Sequence, residues 1–200
     1  MFSEHVQSRA EKRAETRQKV LAAAERLFRE QGFGATTIRK IAAEAGVSTG
    51  TVMSVGDKDA LLVAIFDIWI EAVHRERADG GPPASAGSGV DGVMALIEPF
   101  IRYFMLDEEL SREYAAIVVR GVHESEIFRE LADSLIAELA GALGRAGLAE
   151  ADADRGARVV YFAYLGILMN IAHGTVRESE AVDQLREVIG FAIARGGGEA

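Results

Sequence analysis

The stretch "AGVSTGTVMSVGDKDAL", residues 45–61, places the end of one helix and the start of another within a few residues. Gly46 suits the left-handed backbone position just past a helix end, and Ser48 can cap a new helix. Two helices that meet at a steep angle need a turn of about three or four residues, often with glycine, and Ala45-Gly46-Val47 fits that turn. The sequence therefore predicts a short helical hairpin here.

Helical periodicity continues toward both ends of the chain. Residues 20–28 carry apolar side chains at i, i+1, i+4, i+7 and i+8, and Gly32 ends that helix. Thr37 is placed to cap the first helix of the hairpin, and Asp57 or Asp59 opens the helix that follows the hairpin. The N-terminal quarter is therefore expected to form three helices that lead into a fourth.

The rest of the chain also reads as helix. Residues 80–89, "GGPPASAGSG", are predicted to be a flexible linker or long loop, and five helical patterns follow. Pro99 lies inside the first of these, so a kink or a break is expected there. Residues 159–172 are apolar nearly all round, which predicts burial on several sides. No strand pattern competes, so the fold class is all-α with about nine helices.

Composition limits the class of protein. The 200 residues are 49% apolar and include no cysteine, which excludes disulfides, zinc–thiolate sites and cysteine nucleophiles. The N-terminus has no apolar core of a secretion signal. The longest apolar run is shorter than the roughly 20 residues of a membrane-spanning helix. A cytoplasmic protein with no membrane partner is expected.

The charge is distributed unevenly. Residues 1–50 hold nine Lys and Arg and six acids, a net charge of +3, whereas the whole chain carries −9, so the remainder carries −12. This asymmetry suggests a module that faces nucleic acid on an acidic body. A solvated N-terminal helix would give much of the same pattern.

The hairpin could hold DNA or could simply be a bend between two core helices. If Val47 and Val52 are buried, small side chains of the second helix face outward and fit a major groove about 12 Å wide. The outward set is Thr49, Gly50, Met53 and Ser54. Further donors lie on the preceding helix and at the start of the fourth, namely Thr37, Arg39, Lys40 and Lys58. On spacing alone, both interpretations remain open.

Three pieces of sequence carry a family resemblance: "VLAAAERLF" (20–28) with Gly32-Phe33, "TTIRKIAAEAGVSTGTV" (36–52) and "DKDALLVAIF" (57–66). Together, residues 16–66 resemble the DNA-binding head of the TetR family of bacterial transcriptional regulators. The resemblance implies a DNA-binding helix-turn-helix domain at 1–56 and an effector-binding and dimerisation domain at 57–200. It implies a homodimer on a palindromic operator in double-stranded DNA, and a repressor released by a small-molecule effector. The positions that match usual DNA contacts are Thr37, Arg39, Ser48, Thr49, Gly50, Thr51 and Lys58.

The chain departs from the family pattern in the hairpin. Met53 stands where the family usually has an aromatic residue, often a tyrosine that bonds a phosphate, and Val55 replaces a second aromatic. The segment from Gly50 to Lys58 is also one residue shorter than usual. Weaker phosphate anchoring or an unusual operator is expected.

Polar groups amid the apolar helices of the body are candidate contacts for a small apolar or aromatic effector, since pockets with few polar groups form between helices. The candidate set, with nearby aromatics, is Trp69, Phe100, Tyr103, Phe104, Tyr114, Arg120, His123, Tyr161, Tyr164, Asn170 and His173. Asn170 and His173 could instead bond neighbouring backbone or a dimer partner.

The last two helices are candidates for dimerisation, because an apolar patch this large should be covered. The predicted interface residues are Tyr161, Leu165, Leu168, Leu185, Ile189 and Ala192.

Other functions were weighed against these. The E-x-x-H of Glu71 and His74 has the spacing of di-iron helical bundles, but such sites need a second copy and two more glutamates. With no other catalytic motif, the chain is predicted not to be an enzyme and to hold no metal or cofactor. The remaining alternative is a helix-turn-helix DNA-binding or interaction protein with no small-molecule effector.

Overall fold

The computed structural model describes residues 2–80, 87–123 and 126–196. Most of the predicted linker at 80–89 lies outside these ranges. Within them the chain forms helices joined by turns and short loops, which confirms the all-α prediction. The helices are α1 (Phe2–Gln31), α2 (Ile38–Ala45), α3 (Thr49–Val55), α4 (Lys58–Gly80), α5 (Val90–Met105), α6 (Glu108–Arg120), α7 (Glu126–Arg145), α8 (Glu150–Ala172) and α9 (Glu178–Gly196).

The hairpin of α2 and α3 forms as its capping residues predict. The Thr37 hydroxyl accepts a hydrogen bond from the Lys40 amide at 3.3 Å, and the Ser48 hydroxyl accepts one from the Thr51 amide at 3.0 Å. Gly46 ends α2 with φ of 65°. A non-glycine residue would be strained in this left-handed conformation, so glycine fixes the sharp turn between the two helices.

The head has a small core between α1 and the hairpin. Ile41 and Val52 are fully buried, together with the apolar face of α1 that ends at Phe28. Thr36 is also buried, and its hydroxyl hydrogen-bonds the carbonyl oxygens of Gly32 at 2.9 Å and Leu27 at 3.1 Å. This bond ties the loop before α2 to the end of α1, and it has no signature in the sequence.

The body continues the same hydrophobic core through α4 to α9. Helix α8 packs against both α7 and α9, and α5 packs against α9. A kink or a break was predicted at Pro99, and of these two outcomes the break does not occur, because helix α5 runs through Pro99. One face of α5, which includes Ile97 and Ile101, is buried in the core, and this packing outweighs the single backbone hydrogen bond that proline removes.

Helix α8 is buried along one side and exposed along the other. Its buried side includes Val160, Tyr164 and Ile171, whereas Val159 and Phe162 are 54% and 65% exposed. Burial on several sides was therefore the wrong expectation.

Among the described residues, the helices are too short or too polar to cross a lipid bilayer.

Candidate DNA-binding head and ligand cavity

Helix α3 presents a narrow polar face to solvent. Val52 is fully buried and holds the helix to the head, while the predicted outward set of Thr49, Gly50, Met53 and Ser54 is exposed. Of the two other predicted contacts on this hairpin, Ser48 is exposed and Thr51 is half-buried, and their hydroxyls lie 2.9 Å apart. Small side chains on a protruding short helix suit entry into a major groove.

The cations predicted as DNA contacts differ in their hydrogen-bond partners. Arg39 is exposed, and no hydrogen bond or ion pair to it is found among the described residues. Lys40 donates from Nζ to Gln31 Oε1 at 2.7 Å and to the Ala35 carbonyl at 3.0 Å. Thr37 caps α2 and is itself exposed. Of the two cations of α2, Arg39 is therefore the one whose guanidinium is available to bind a phosphate.

Lys58 is bound within the head instead of reaching outward. Its Nζ donates to the Phe33 carbonyl at 3.0 Å and lies 4.2 Å from the centre of the Phe33 ring. The side chain is half-buried. Lys58 was predicted to reach a DNA phosphate, but its amine is engaged with Phe33, because the start of α4 lies over the loop between α1 and α2.

A cavity of about 60 Å³ lies in the body between α4, α5, α6 and α8. Six of its wall residues were predicted as ligand contacts: Trp69, Phe100, Tyr103, Phe104, Tyr114 and Tyr164. Seven others were missed: Phe66, Ile70, Val73, Val118, Leu165, Leu168 and Met169. The spacing i, i+3, i+4, i+7 of Phe66, Trp69, Ile70 and Val73 on α4 is the sequence signal that could have found part of this wall.

A second cavity of about 40 Å³ lies beside the first. It includes Tyr161, a predicted ligand contact, and His74, whose ring centre lies 4.9 Å from that of Phe100. Four side chains belong to the walls of both cavities, and they are called the shared wall below. The shared wall consists of Ile70, Phe100, Tyr164 and Leu165.

Four predicted ligand contacts lie outside both cavities. Asn170 is exposed and donates from Nδ2 to the Gly166 carbonyl at 2.8 Å, and His173 is exposed with Nδ1 2.8 Å from the Met169 carbonyl. Both therefore bond backbone of their own helix, which was the alternative interpretation. Arg120 and His123 are also corrected, because they face α4 at the surface and not the cavity.

Those two residues connect the end of α6 to the start of α4. At the end of α6, Arg120 pairs with Asp59 at 3.1 Å, and just beyond it His123 Nε2 lies 3.4 Å from Asp57 Oδ1. Asp57 also caps α4 by accepting from the Ala60 amide at 2.8 Å. The helix that carries Tyr114 of the cavity wall thus meets the first turn of α4.

Most of the predicted dimer residues are corrected as well. Tyr161, Leu168, Leu185 and Ile189 are buried within the chain, Leu165 lines the cavities and Ala192 is half-buried. Because α8 is apolar nearly all round, its sequence does not show which of its sides packs against the core of the same chain. The exposed apolar side chains of α8 and α9 are Val159, Phe162 and Phe191.

The E-x-x-H residues are placed apart from any metal-binding arrangement. Glu71 pairs with Arg75 at 2.8 Å, while His74 lines the second cavity. Within the part of the chain that the structure describes, no three His, Asp or Glu side chains are grouped to hold a metal ion.

The fold and site define a helix-turn-helix head on an all-helical body with an internal cavity. Residues 20–65 match the family model of bacterial regulatory proteins, tetR family. The HTH-type transcriptional regulator HbdR of Aromatoleum sp. (strain CIB) is 51% identical over 63 residues, which are 31% of this chain and 28% of that protein. The head of this chain is therefore similar in sequence to the DNA-binding part of bacterial regulatory proteins of the tetR family.

Solved structures extend the likeness over the body. A TetR transcriptional regulator from Rhodococcus sp. RHA1 matches with a TM-score of 0.66 at 18% identity, over 90% of this chain and 96% of that one. SmeT, the repressor of the Stenotrophomonas maltophilia multidrug efflux pump SmeDEF, matches with a TM-score of 0.50 at 25% identity, over 90% and 87% of the two chains. The matched part of this chain spans less than a third of the curated relative's length, so that sequence likeness is confined to the head.

Proposed function

We propose that the chain is a cytoplasmic transcriptional repressor that binds a palindromic operator as a homodimer and is released by a small apolar or aromatic effector. The proposal rests on one observation: one side of α3 is buried in the head and the opposite side is exposed to solvent. Its Val52 is fully buried, and its other side presents hydroxyls, a glycine and Met53 to solvent. A helix used only as a core bend has no need of such a face.

A division at 1–56 and 57–200 would put the proposed DNA contacts of α2 and α3 and the cavity in separate units. The two units share one hydrophobic core, and Lys58 in the first turn of α4 joins them by its hydrogen bond to the Phe33 carbonyl. Phe66 of α4 stacks on Tyr114 of α6, with ring centres 4.1 Å apart. A molecule that parts these rings shifts α4 relative to α6, and this motion reaches the head through Lys58 of α4, which bonds the Phe33 carbonyl.

The dimer would form through the exposed apolar side of α8 and α9. Val159 and Phe162 are one turn apart on α8, and Ala192 beside Phe191 packs against the turn of α8 at Gly156. Apolar side chains grouped in this way are typical of a covered surface. A two-fold dimer would present both copies of α3 to half-sites about one helical turn apart, or a multiple of it.

Selection from random DNA duplexes tests operator binding. The full-length protein is expected to enrich an inverted repeat, and Thr49→Ala is expected to weaken binding to it roughly tenfold, as for one lost hydrogen bond. Thr16→Ala, on α1 away from the hairpin, serves as the control. Enrichment of no inverted repeat, or unchanged affinity in Thr49→Ala, contradicts the proposal.

Light scattering tests the dimer. Phe162→Glu is expected to give a monomer, because a buried carboxylate without a partner is costly. Val119→Glu, at a valine that is 74% exposed on α6, is the control and should remain dimeric. A dimeric Phe162→Glu variant would exclude this interface.

The cavity volume favours one second candidate. About 60 Å³ is far below the roughly 300 Å³ or more of common ligand pockets, which is consistent with a DNA-binding regulator that has no small-molecule effector. The two candidates differ in one measurement, the release of operator DNA by small molecules. Release by a molecule that binds the cavity supports the first and excludes the second.

A further inference from the structure

We infer that the cavity selects an uncharged single-ring aromatic molecule with one hydrogen-bonding group, and that the Tyr114 hydroxyl is the protein's partner for this group. The inference rests on the proposed effector-regulated function and names the chemical class of the effector. Three features of the cavity carry it: the neutrality of its wall, the unpaired hydroxyl of Tyr114 and the size of the space.

The wall of the larger cavity carries no carboxylate, ammonium or guanidinium group, and the one basic side chain that the smaller cavity adds, His74, has its ring centre 4.9 Å from that of Phe100. All thirteen side chains around the larger cavity are apolar or aromatic, and their polar atoms are confined to Trp69, Met169 and three tyrosines. A charged group that enters such a space gives up its hydration without a counter-ion, at a cost of several kcal/mol. The wall therefore selects against carboxylates and ammonium ions.

Tyr114 and Tyr164 remain neutral as well. Burial raises the pKa of Tyr114 and of Tyr164 above the ordinary value, and nearby Asp67 raises the pKa of Tyr114 further. Their hydroxyls stay protonated over the whole physiological range, so they can both donate and accept hydrogen bonds. The negative charge of Asp67 adds to the penalty for an anion.

The Tyr114 hydroxyl is a buried polar group of the wall that lacks a hydrogen-bond partner among the described residues. Tyr114 is 4% exposed, its ring is held by the stack on Phe66, and its oxygen is buried with no hydrogen bond among the described residues. Leaving such a group unsatisfied is unfavourable, because it has given up its hydrogen bonds to water. A ligand that bonds this hydroxyl recovers that cost, which an apolar ligand cannot do.

The size of the space sets the size of the ring system. An apolar cavity of about 150 Å³ holds benzene, whereas the two cavities measure about 60 and 40 Å³ and share four wall side chains. Displacement of the shared wall joins them into one space on the scale of a single ring. The larger groove of about 700 Å³ between α1 and α4 is not a rival, since it is open and lined by Glu11, Glu15 and Glu25.

Four probes of matched size test the inference on the full-length protein: 4-methylphenol, toluene, benzoate and benzylamine. Trp69, which is the chain's single tryptophan, lies in the wall, so its fluorescence reports occupancy directly, and calorimetry gives the affinities. We expect 4-methylphenol to bind at least tenfold more tightly than benzoate and benzylamine. Equal or tighter binding of either ion overturns the neutral class, and failure of all four probes to bind overturns the inference as a whole.

Tyr114→Phe tests the anchor. It is expected to weaken 4-methylphenol roughly tenfold and to leave toluene unchanged, because only the phenol uses the hydroxyl. Thr16→Ala, which removes a hydroxyl of α1 that belongs to neither cavity wall, is the control and should keep the wild-type affinity for both. Unchanged affinity of Tyr114→Phe for 4-methylphenol overturns the anchor. Its melting temperature without ligand should equal or exceed that of the wild type, which shows that the variant is folded.

Operator binding without any probe separates this inference from the proposed function. If the free protein binds no operator, the proposed function fails whatever the probes do. If it binds operator but the order of probe affinities differs from that expected, only the ligand class and its anchor fail.

Discussion

Lys58→Ala is expected to destabilise the head, although the residue was predicted as a DNA contact. The Nζ atom donates to the Phe33 carbonyl at 3.0 Å and lies 4.2 Å from the ring centre. A hydrogen bond from a charged donor contributes about 1.5–3 kcal/mol, and a cation over an exposed ring contributes about 0.5–1 kcal/mol. Because Lys58 is half-buried, the low end of each range applies.

One effect opposes these contributions. Lys58 is the first residue of α4, where a positive charge is unfavourable to the helix dipole by about 0.3–1 kcal/mol. The net loss on removing the side chain is therefore about 1–2 kcal/mol. In a chain of this size the melting temperature should fall by roughly 2–8 °C.

Arg39→Ala is the matched control. Arg39 also lies in the first turn of a helix and also carries one positive charge, but it is exposed and has no partner in the described residues. Thermal unfolding followed by circular dichroism should place its midpoint within about 1 °C of the wild type. The slope of log affinity for operator against log salt should become less steep by about 0.9 for one lost phosphate contact. If Lys58→Ala melts at the same temperature as Arg39→Ala, the structural role of Lys58 is refuted.

Three further predictions concern stability. Thr36→Val removes the buried hydroxyl bonded to two carbonyls of the head and should cost about 1–3 kcal/mol in urea unfolding; a loss below about 0.5 kcal/mol would contradict this. Gly46→Ala should cost about 1–2 kcal/mol through its left-handed backbone, and Gly46→Asn less; equal losses would implicate side-chain contacts instead. Because burial raises the pKa of Tyr164, the unfolded chain loses this proton near pH 10 while the folded chain keeps it, so stability is full below about pH 10 and falls above it. Tyr164→Phe should reduce this alkaline fall between about pH 9 and pH 11, and an identical fall in both proteins would count against it.

The helix caps and the turn of the head could be predicted from the sequence because the residues that form them act locally. Thr37, Gly46 and Ser48 each act on backbone within a few residues, so residue type and spacing are enough to predict the caps and the turn. The hydrogen bonds of the Lys58 and Thr36 side chains could not be predicted in this way. Each bonds a carbonyl oxygen whose location depends on how α1 packs against the hairpin.

The body was predictable as helices but not as a packed arrangement. Helix α8 is apolar on nearly every side, so its periodicity could not separate Tyr161, which faces the core, from Phe162, which faces solvent. The cavity residues were found in part because aromatic side chains were singled out. Asn170 and His173 were misplaced because a polar residue in an apolar helix can also face water and bond its own backbone.

The shared wall between the two cavities allows the size of ligand that the interior accepts to change by substitution. Replacing Ile70 or Leu165 by a smaller residue would join the two cavities and admit a larger ligand. Neither side chain touches the exposed side of α3. Under the proposed function, a single interior substitution would thus change which effector binds and leave the DNA-facing side of the hairpin unchanged.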